Sequence, residues 1–337
     1  MKVNIVVGGF YGDEGKGKIV GHLAVKDNPD YVVRAGGGPQ AGHTVTQGKK
    51  VTQIPSGFIN SSSRLLIARG TIINPEIVLK EIERYGVEDR IGIDYGCTII
   101  EPQHLEQEIE LVGRIGSVGT GTGPARVDRV LRRAKIAKDV ESLKPYLTDV
   151  ADQVNKAIKS SKRILVEGVQ GYGLSLLNHE FYPYVTSQDT TASQFAADVG
   201  IGPKAIGEII VVYKAYVSRV GKGPMRFEWT EEQAQQHGIY EKGTVSGRPR
   251  RLGDFDKDLA GKSLIGNTGT QAAITCIDRL FEGNSGVREF DKLNKEARDF
   301  IRDIDAFLKE KSAYFKGITL ISTGADSEEV IDLRQIF

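Results

Sequence analysis

Residues 3–20 read Val3-Asn4-Ile5-Val6-Val7-Gly8-Gly9-Phe10-Tyr11-Gly12-Asp13-Glu14-Gly15-Lys16-Gly17-Lys18-Ile19-Val20: an apolar strand, a glycine-rich turn that carries lysines, and the start of a helix. Gly12, Gly15 and Gly17 let backbone N–H groups approach phosphate oxygens, and Lys16 and Lys18 add charge beside the positive end of the helix that follows. From Gly12 to Lys18 the run fits the G-x4-G-K pattern, yet Ile19 stands where a magnesium-holding Ser or Thr is normally found. Asp13, inside the turn, offers a carboxylate that supplies the metal contact instead. Read without context, the same stretch is only a tight strand-to-helix turn in a glycine-rich chain, with Asp13 as an N-cap.

The rest of the composition sets bounds. A chain of 337 residues with 39% apolar content buries a large core. With 45 basic against 44 acidic residues the net charge is +1, which predicts no polyelectrolyte partner. Cys97 and Cys276 are too few for a disulfide framework or a thiolate metal cage, which points to a reducing cytoplasm. The N-terminus enters a strand at once, without the pattern of a signal peptide. The aliphatic runs, such as Ile209-Ile210-Val211-Val212, are strand-length and too short to span a bilayer.

Short β-branched runs alternate with longer helical patterns. Strands are expected near 3–7, 30–34, 64–68, 97–100, 163–167, 208–214, 272–277 and 317–322, and continuous apolar strands of this kind suit a parallel sheet covered on both faces. A helix is expected over 290–311, where Leu293, Ala297, Phe300, Ile301, Ile304, Phe307 and Leu308 make one stripe for the core. Another is expected over 75–85, opened by Asn74 as N-cap and Pro75 in the first turn. No repeat or linker divides the chain, so residues 1–337 are read as one α/β domain with long functional loops.

A second segment, Ala35-Gly36-Gly37-Gly38-Pro39-Gln40-Ala41-Gly42-His43-Thr44-Val45, makes the reading specific. With the first it resembles the GDEGKGK and NAGHT signatures of the adenylosuccinate synthetase family. Blocks at 119–125, 166–171, 182–187, 218–224, 247–251 and 322–326 resemble that family's further motifs, in the same order. The shortfall against the longer bacterial and eukaryotic enzymes falls mainly around 140–165 and 279–315, which is similar to the compact form found in archaea.

The resemblance implies a mostly parallel, P-loop-NTPase-like α/β fold with helices on both faces of the sheet. It also implies a ligase that joins IMP and L-aspartate at the expense of GTP, with Mg2+ required, through a 6-phosphoryl-IMP intermediate, the first committed step from IMP to AMP. Carried over residue by residue, Asp13 is the base, His43 the acid, and Gln170 the third catalytic position. GTP falls to Gly12, Glu14, Gly15, Lys16, Gly17, Thr44, Asp278, Ser322 and Gly324. IMP falls to Asp13, Lys16, Gln40, Ala41, Arg132, Gln170, Thr186 and Arg248. Aspartate falls to Val220, Ser246, Arg248 and Arg250, and the metal to Asp13 and the backbone carbonyl of Gly42. A homodimer is implied, with Arg132 supplied across its two-fold axis to the neighbouring IMP phosphate. Beside lysines and a metal, Asp13 is expected to have a depressed pKa and to act through position more than basicity.

Four positions depart from the family pattern: Gln40 for asparagine, Val118 for a substrate-touching threonine, Ser246 for threonine, and Cys276 for the lysine that packs over the base. At the second of these, Thr120 or Thr122 is expected to compensate. Arg248 and Arg250, two residues apart, suit a dicarboxylate because each offers a planar fork. The competing reading of 247–251 as a nucleic-acid patch is disfavoured by Asp254, Asp256 and Asp258 directly after it and by the absence of an aromatic platform. A regulatory GTPase would use the loop and Asp278 but has no need of His43, Gln170 or the arginine pair. A small-metabolite kinase is disfavoured by Ile19.

Overall fold

In the computed structural model, which describes residues 3–334, ten strands form one sheet. They are β1 (Val3–Gly8), β2 (Tyr31–Arg34), β3 (Arg64–Ile67), β4 (Ile91–Asp94), β5 (Leu147–Thr148), β6 (Ile164–Glu167), β7 (Ile206–Lys214), β8 (Gln271–Thr275), β9 (Gly317–Ser322) and β10 (Val330–Asp332). Their order is β10-β9-β8-β7-β1-β6-β2-β3-β4-β5. Every neighbouring pair is parallel except β9 and β10, so the antiparallel strand sits at one edge.

The helices are α1 (Lys16–Asp27), α2 (Pro75–Tyr85), α3 (Pro102–Ile115), α4 (Thr122–Val130), α5 (Val150–Lys159), α6 (Ala192–Val199), α7 (Glu231–Gln236), α8 (Lys257–Asn267), α9 (Ile277–Leu280) and α10 (Lys295–Lys311). Alternate residues of a strand face opposite sides of the sheet. Val3, Ile5 and Val7 therefore join a core with α5, α6, α8 and α10, whereas Val6 joins another with α1 and α2. Both faces are covered by helices, which is why these strands are apolar without alternation.

β1 is central, and the chain leaves it in two directions. β6 inserts between β1 and β2, and β7 pairs with the other side of β1. Where strand order reverses in this way, the loops at the carboxyl ends part and leave a crevice. The carboxyl ends of β1, β2, β6, β7, β8 and β9 are Gly8, Arg34, Glu167, Lys214, Thr275 and Ser322, and Asp13, Gln40, His43, Gln170, Val220 and Asp278 follow them within a few residues.

Two expectations are corrected. The strand expected at 97–100 is only Thr98–Ile99, pairs with Ile72–Ile73 and lies outside the main sheet. The sheet strand is instead β4, whose Gly92 and Asp94 hid it; a Cβ on Gly92 would meet the Thr148 side chain at 2.8 Å, so packing against β5 requires the glycine. The helix expected from 290 begins at 295, because the Asn294 side chain caps it by accepting from Ala297 N at 2.9 Å while residues 290–292 form a separate 3-10 turn. The helix at 75–85 forms as expected, with Asn74 accepting from the Glu76 and Ile77 N–H groups.

Asn294 also donates to Glu282 O at 3.0 Å, so its removal loosens the entry to α10 twice over. Asn294→Ala should cost about 1 kcal/mol, read as a lower urea midpoint with unchanged slope. An unchanged midpoint would show that packing of the α10 stripe alone sets the start of this helix.

Candidate active site

The phosphate loop is braced from within. Gly12 and Gly15 have φ of 99° and 80°, left-handed values that favour glycine, and Gly15 is the N-cap of α1. A Cβ on Gly17 would stand 2.7 Å from the Cβ of His43, so glycine lets the first turn of α1 press against the segment carrying that histidine. Glu14 is folded under the loop, accepting from Phe10 N at 2.9 Å, Gly12 N at 2.8 Å and Lys16 Nζ at 2.8 Å. Lys16 also donates to Gly12 O at 3.1 Å. Both side chains are buried, and Ile19, where a metal-holding hydroxyl would stand, is sealed in the core.

Outside this loop lies a cavity of about 580 Å³ lined by Asp13, His43 and Gln170 together. They come from three different segments: the β1–α1 turn, the strand at 43–44 and the loop after β6. Gln170 holds a left-handed φ of 53°, and neither atom of its buried amide has a partner. A strained backbone that aims an unsatisfied amide into a cavity is the mark of a group kept for a ligand. Gln40, Ala41, Gly42, Thr186, Val220 and Ser246 line the same space. Gln40 accepts from Thr122 Oγ1 at 2.7 Å; Thr122 and Val118 reach the lining, whereas Thr120 does not.

The protein's own groups move Asp13 and His43 in opposite directions. The Asp13 carboxyl is pushed up to about 6, chiefly because burial disfavours the anion, with Arg250 and Lys214 pulling the other way. Arg250 Nε lies 2.5 Å from Asp13 Oδ2, close but not aligned as a hydrogen bond. His43 is pushed down to about 4, first by burial and then by Arg34. Its Nδ1 makes a short contact with Glu167 Oε1 and also lies 2.7 Å from Arg34 Nη1. Because the carboxylate can only accept and Arg34 Nη1 already donates to it, we assign the proton to Nδ1, which leaves Nε2 protonated only when the ring is charged.

Glu167 is fully buried at the end of β6. It accepts from Arg34 Nη1 at 2.9 Å, Ser56 N at 2.7 Å and Ser56 Oγ at 2.5 Å as well as from His43. Burial alone would raise its pKa, but Arg34, His43 and the Ser56 hydroxyl outweigh it and carry the group down to about 2. Sequence reasoning passed over Glu167, Arg34 and Lys214 as site residues. The available signal was positional: each is a charged residue that ends a buried apolar strand.

Other expected residues stand apart from the cavity. Arg248 donates to the carbonyls of Gly116 and Ser117 at 2.8 and 3.0 Å, and Arg250 is engaged by Asp13 and Glu241, so the two forks are not both open. Arg132 is exposed, with Nη1 on Val130 O of its own chain at 2.7 Å. Thr44 is exposed beside Gly17. Asp278, Ser322 and Gly324 gather at the carboxyl ends of β8 and β9, where Lys18 Nζ reaches Ser322 Oγ at 2.7 Å and the Gly324 carbonyl. Burial raises the Asp278 carboxyl against the pull of Lys18.

Glu167→Gln removes the anion that orients His43 and supports its charged form. The variant should lose about ten- to a hundredfold in kcat with a smaller change in KM for the nucleotides. Full turnover in this variant would mean that His43 needs no support from the strand end.

The family described as Adenylosuccinate synthetase matches residues 5–140 and 133–285. The adenylosuccinate synthetase of Archaeoglobus fulgidus is 49% identical over 341 residues, covering 99% of each chain. That of Thermococcus sibiricus is 48% identical over 344 residues, again with 99% of each covered. Among solved structures, fully ligated adenylosuccinate synthetase from Plasmodium falciparum superposes with a TM-score of 0.90 at 23% identity, covering 98% of this chain and 100% of that one. Cyanophage S-2L succinoaminodeoxyadenylate synthetase, bound to dGMP and to dATP as energy donor, gives 0.81 at 22% identity, covering 98% and 95%. With near-complete coverage at almost half identity, this chain belongs to the adenylosuccinate synthetase family.

Proposed function

We propose that the cavity carries out the family's reaction, GTP-dependent ligation of IMP and L-aspartate to adenylosuccinate, GDP and phosphate, with 6-phosphoryl-IMP as intermediate. Family membership makes the chain a C–N bond-forming ligase of purine biosynthesis. The observation that carries the detailed reading is the convergence of Asp13, His43 and unpaired Gln170 on one cavity beside the phosphate loop.

The purine 6-oxygen is a poor leaving group, so it is phosphorylated first. Asp13 takes the N1 proton, the 6-oxygen attacks the γ-phosphorus, and GDP departs. Because a bound metal favours the carboxylate, Asp13 acts chiefly through its position beside the cavity. Anionic phosphoryl oxygens raise the His43 pKa, and the charged ring then donates from Nε2 to the group in flight. The aspartate amine next displaces phosphate from C6, with Arg248 and Arg250 turning from protein carbonyls and Asp13 to the substrate carboxylates. Thr122, already bonded to Gln40, takes over from the missing threonine at 118.

Magnesium fits the donor set: an under-compensated Asp13 carboxylate and the Gly42 carbonyl line the same space, and no group of three acidic, His or Cys side chains forms a metal cage among the described residues. Asp13 and the Gly42 carbonyl would hold such an ion, which would supply charge neutralisation at the phosphoryl group. Asp278 accepts from the guanine edge. Donor choice is open to test, because the cyanophage protein of this fold uses dATP and Cys276 removes the family lysine.

The active form is read as a homodimer. Leu105, Ile109 and Val112 of α3 and Val127, Val130 and Leu131 at α4 are exposed apolar side chains beside Arg132, a face suited to a second copy. In this reading residues 1–337 act as one domain in the cytoplasm, with both cysteines free and no nucleic-acid or membrane partner. No helix among the described residues is long and apolar enough to cross a membrane.

Purified protein given IMP, aspartate, GTP and Mg2+ should form adenylosuccinate, with ATP a poor substitute for GTP. GTP hydrolysis that ignores IMP and aspartate would contradict the reading and favour a GTPase. Arg132→Leu and Asp13→Asn chains, each inactive alone, should regain activity when subunits exchange, because a mixed dimer holds one site with intact Asp13 and a borrowed Arg132. No recovery in exchanged mixtures would place Arg132 in its own chain's site or in none.

A further inference from the structure

Glu241, between α7 and the strand at 251–253, is 6% exposed and receives four donors on one carboxylate. Oε2 accepts from Lys214 Nζ at 2.5 Å and Arg250 Nη1 at 2.9 Å. Oε1 accepts from Arg279 Nη1 at 3.2 Å and, in a short contact, from the Tyr216 hydroxyl. The donors come from three places: the end of β7 and its following turn, the arginine loop, and α9. Glu241 and Arg250 are also joined through their backbones, Arg250 N donating to Glu241 O at 3.0 Å. Lys214, Arg250 and Arg279 face only Glu241 and Asp13 in this set, leaving one positive charge in excess at the place where a dicarboxylate would arrive.

We infer that Glu241 is a positioning residue for the amino-acid substrate: it holds Arg250 behind the cavity wall, against Asp13, and, through Arg279, ties that arm to the helix carrying Asp278. The inference rests on the reading above, in which Arg250 takes a carboxylate of aspartate. A guanidinium gains from its planar fork only while the fork is aimed, and an unanchored arginine must lose side-chain freedom on binding. Glu241 anchors Arg250 through Nη1 alone and leaves Nη2 without a protein partner in this network. Without that anion, Lys214, Arg250 and Arg279 repel one another, and Arg250 has Asp13 as its one remaining acidic partner here. The tie to α9 makes the arginine loop respond to the segment expected to read the nucleotide base.

The test begins with the wild type, whose failure to make adenylosuccinate would sink the functional reading itself. Given wild-type turnover, Glu241→Gln should raise the aspartate KM about tenfold or more while the KM values for IMP and GTP stay within about threefold. A rise shared equally by all three substrates, or an unchanged aspartate KM in folded protein, overturns the inference alone. If that variant does not fold, Arg279→Gln decides, since Arg279 is half exposed and its loss leaves Glu241 paired to Lys214 and Arg250. Although Arg279 adjoins Asp278, its loss should raise the aspartate KM about fivefold or more and keep the GTP KM within about threefold, and an unchanged aspartate KM would overturn the inference. An effect confined to GTP would show that Arg279 serves nucleotide binding and that Glu241 does not couple the two.

Discussion

A carboxylate sealed at the carboxyl end of a parallel strand has to be neutralised where it stands, and at Glu167 this requirement organises the site. Left unpaired, such a charge costs several kcal/mol, so the surroundings are built to meet it. Arg34 from β2, the Ser56 N–H and hydroxyl, and His43 all converge on it. One buried group thus fixes the end of β2, the turn at 56 and the ring orientation of the histidine. Glu14 and Glu241 repeat the device, the first holding the phosphate loop through Phe10, Gly12 and Lys16, the second holding the arginine loop through Lys214 and Arg250.

These three carboxylates explain how the groups around the cavity are held. Arg34, Lys214 and Lys16 among their cationic partners are positioned by strands and by the first turn of α1, elements held by the two cores on either face of the sheet. Rigid support of this kind is what lets a few side chains keep the geometry that phosphoryl transfer needs. The exceptions are the groups that must exchange partners. Arg250 rests on Asp13, Arg248 rests on the carbonyls of the 116–117 loop, and the Gln170 amide has no partner.

Much of the fold was legible because its signals are local. The run at 3–20 states strand, turn and helix in sequence, and six further apolar strands fall close to their observed places. β4 was missed because Gly92 and Asp94 interrupt its apolar run, although the glycine is required by packing against β5. β5, at 147–148, is too short to carry a pattern. For the site, Asp13, His43 and Gln170 were readable from their motifs, whereas the pairing of Glu241 with Lys214 and Arg279 joins residues 27 and 38 positions apart and leaves no periodic trace. The burial that raises the Asp13 carboxyl among the protein's own groups is likewise invisible in sequence, where only neighbouring charges show.

The central claim is that the site rests with a neutral His43, its Nδ1 proton held on Glu167, and that substrate charge supplies the acid. Titration of the nitrogen-15 signals of His43 in nucleotide- and metal-free protein tests this most directly. The account predicts an Nδ1–H tautomer at neutral pH and a midpoint at about 4, moving upward when GTP and IMP are added. An Nε2–H tautomer, or a midpoint already near the ordinary histidine value of about 6.5 in the free protein, would contradict it.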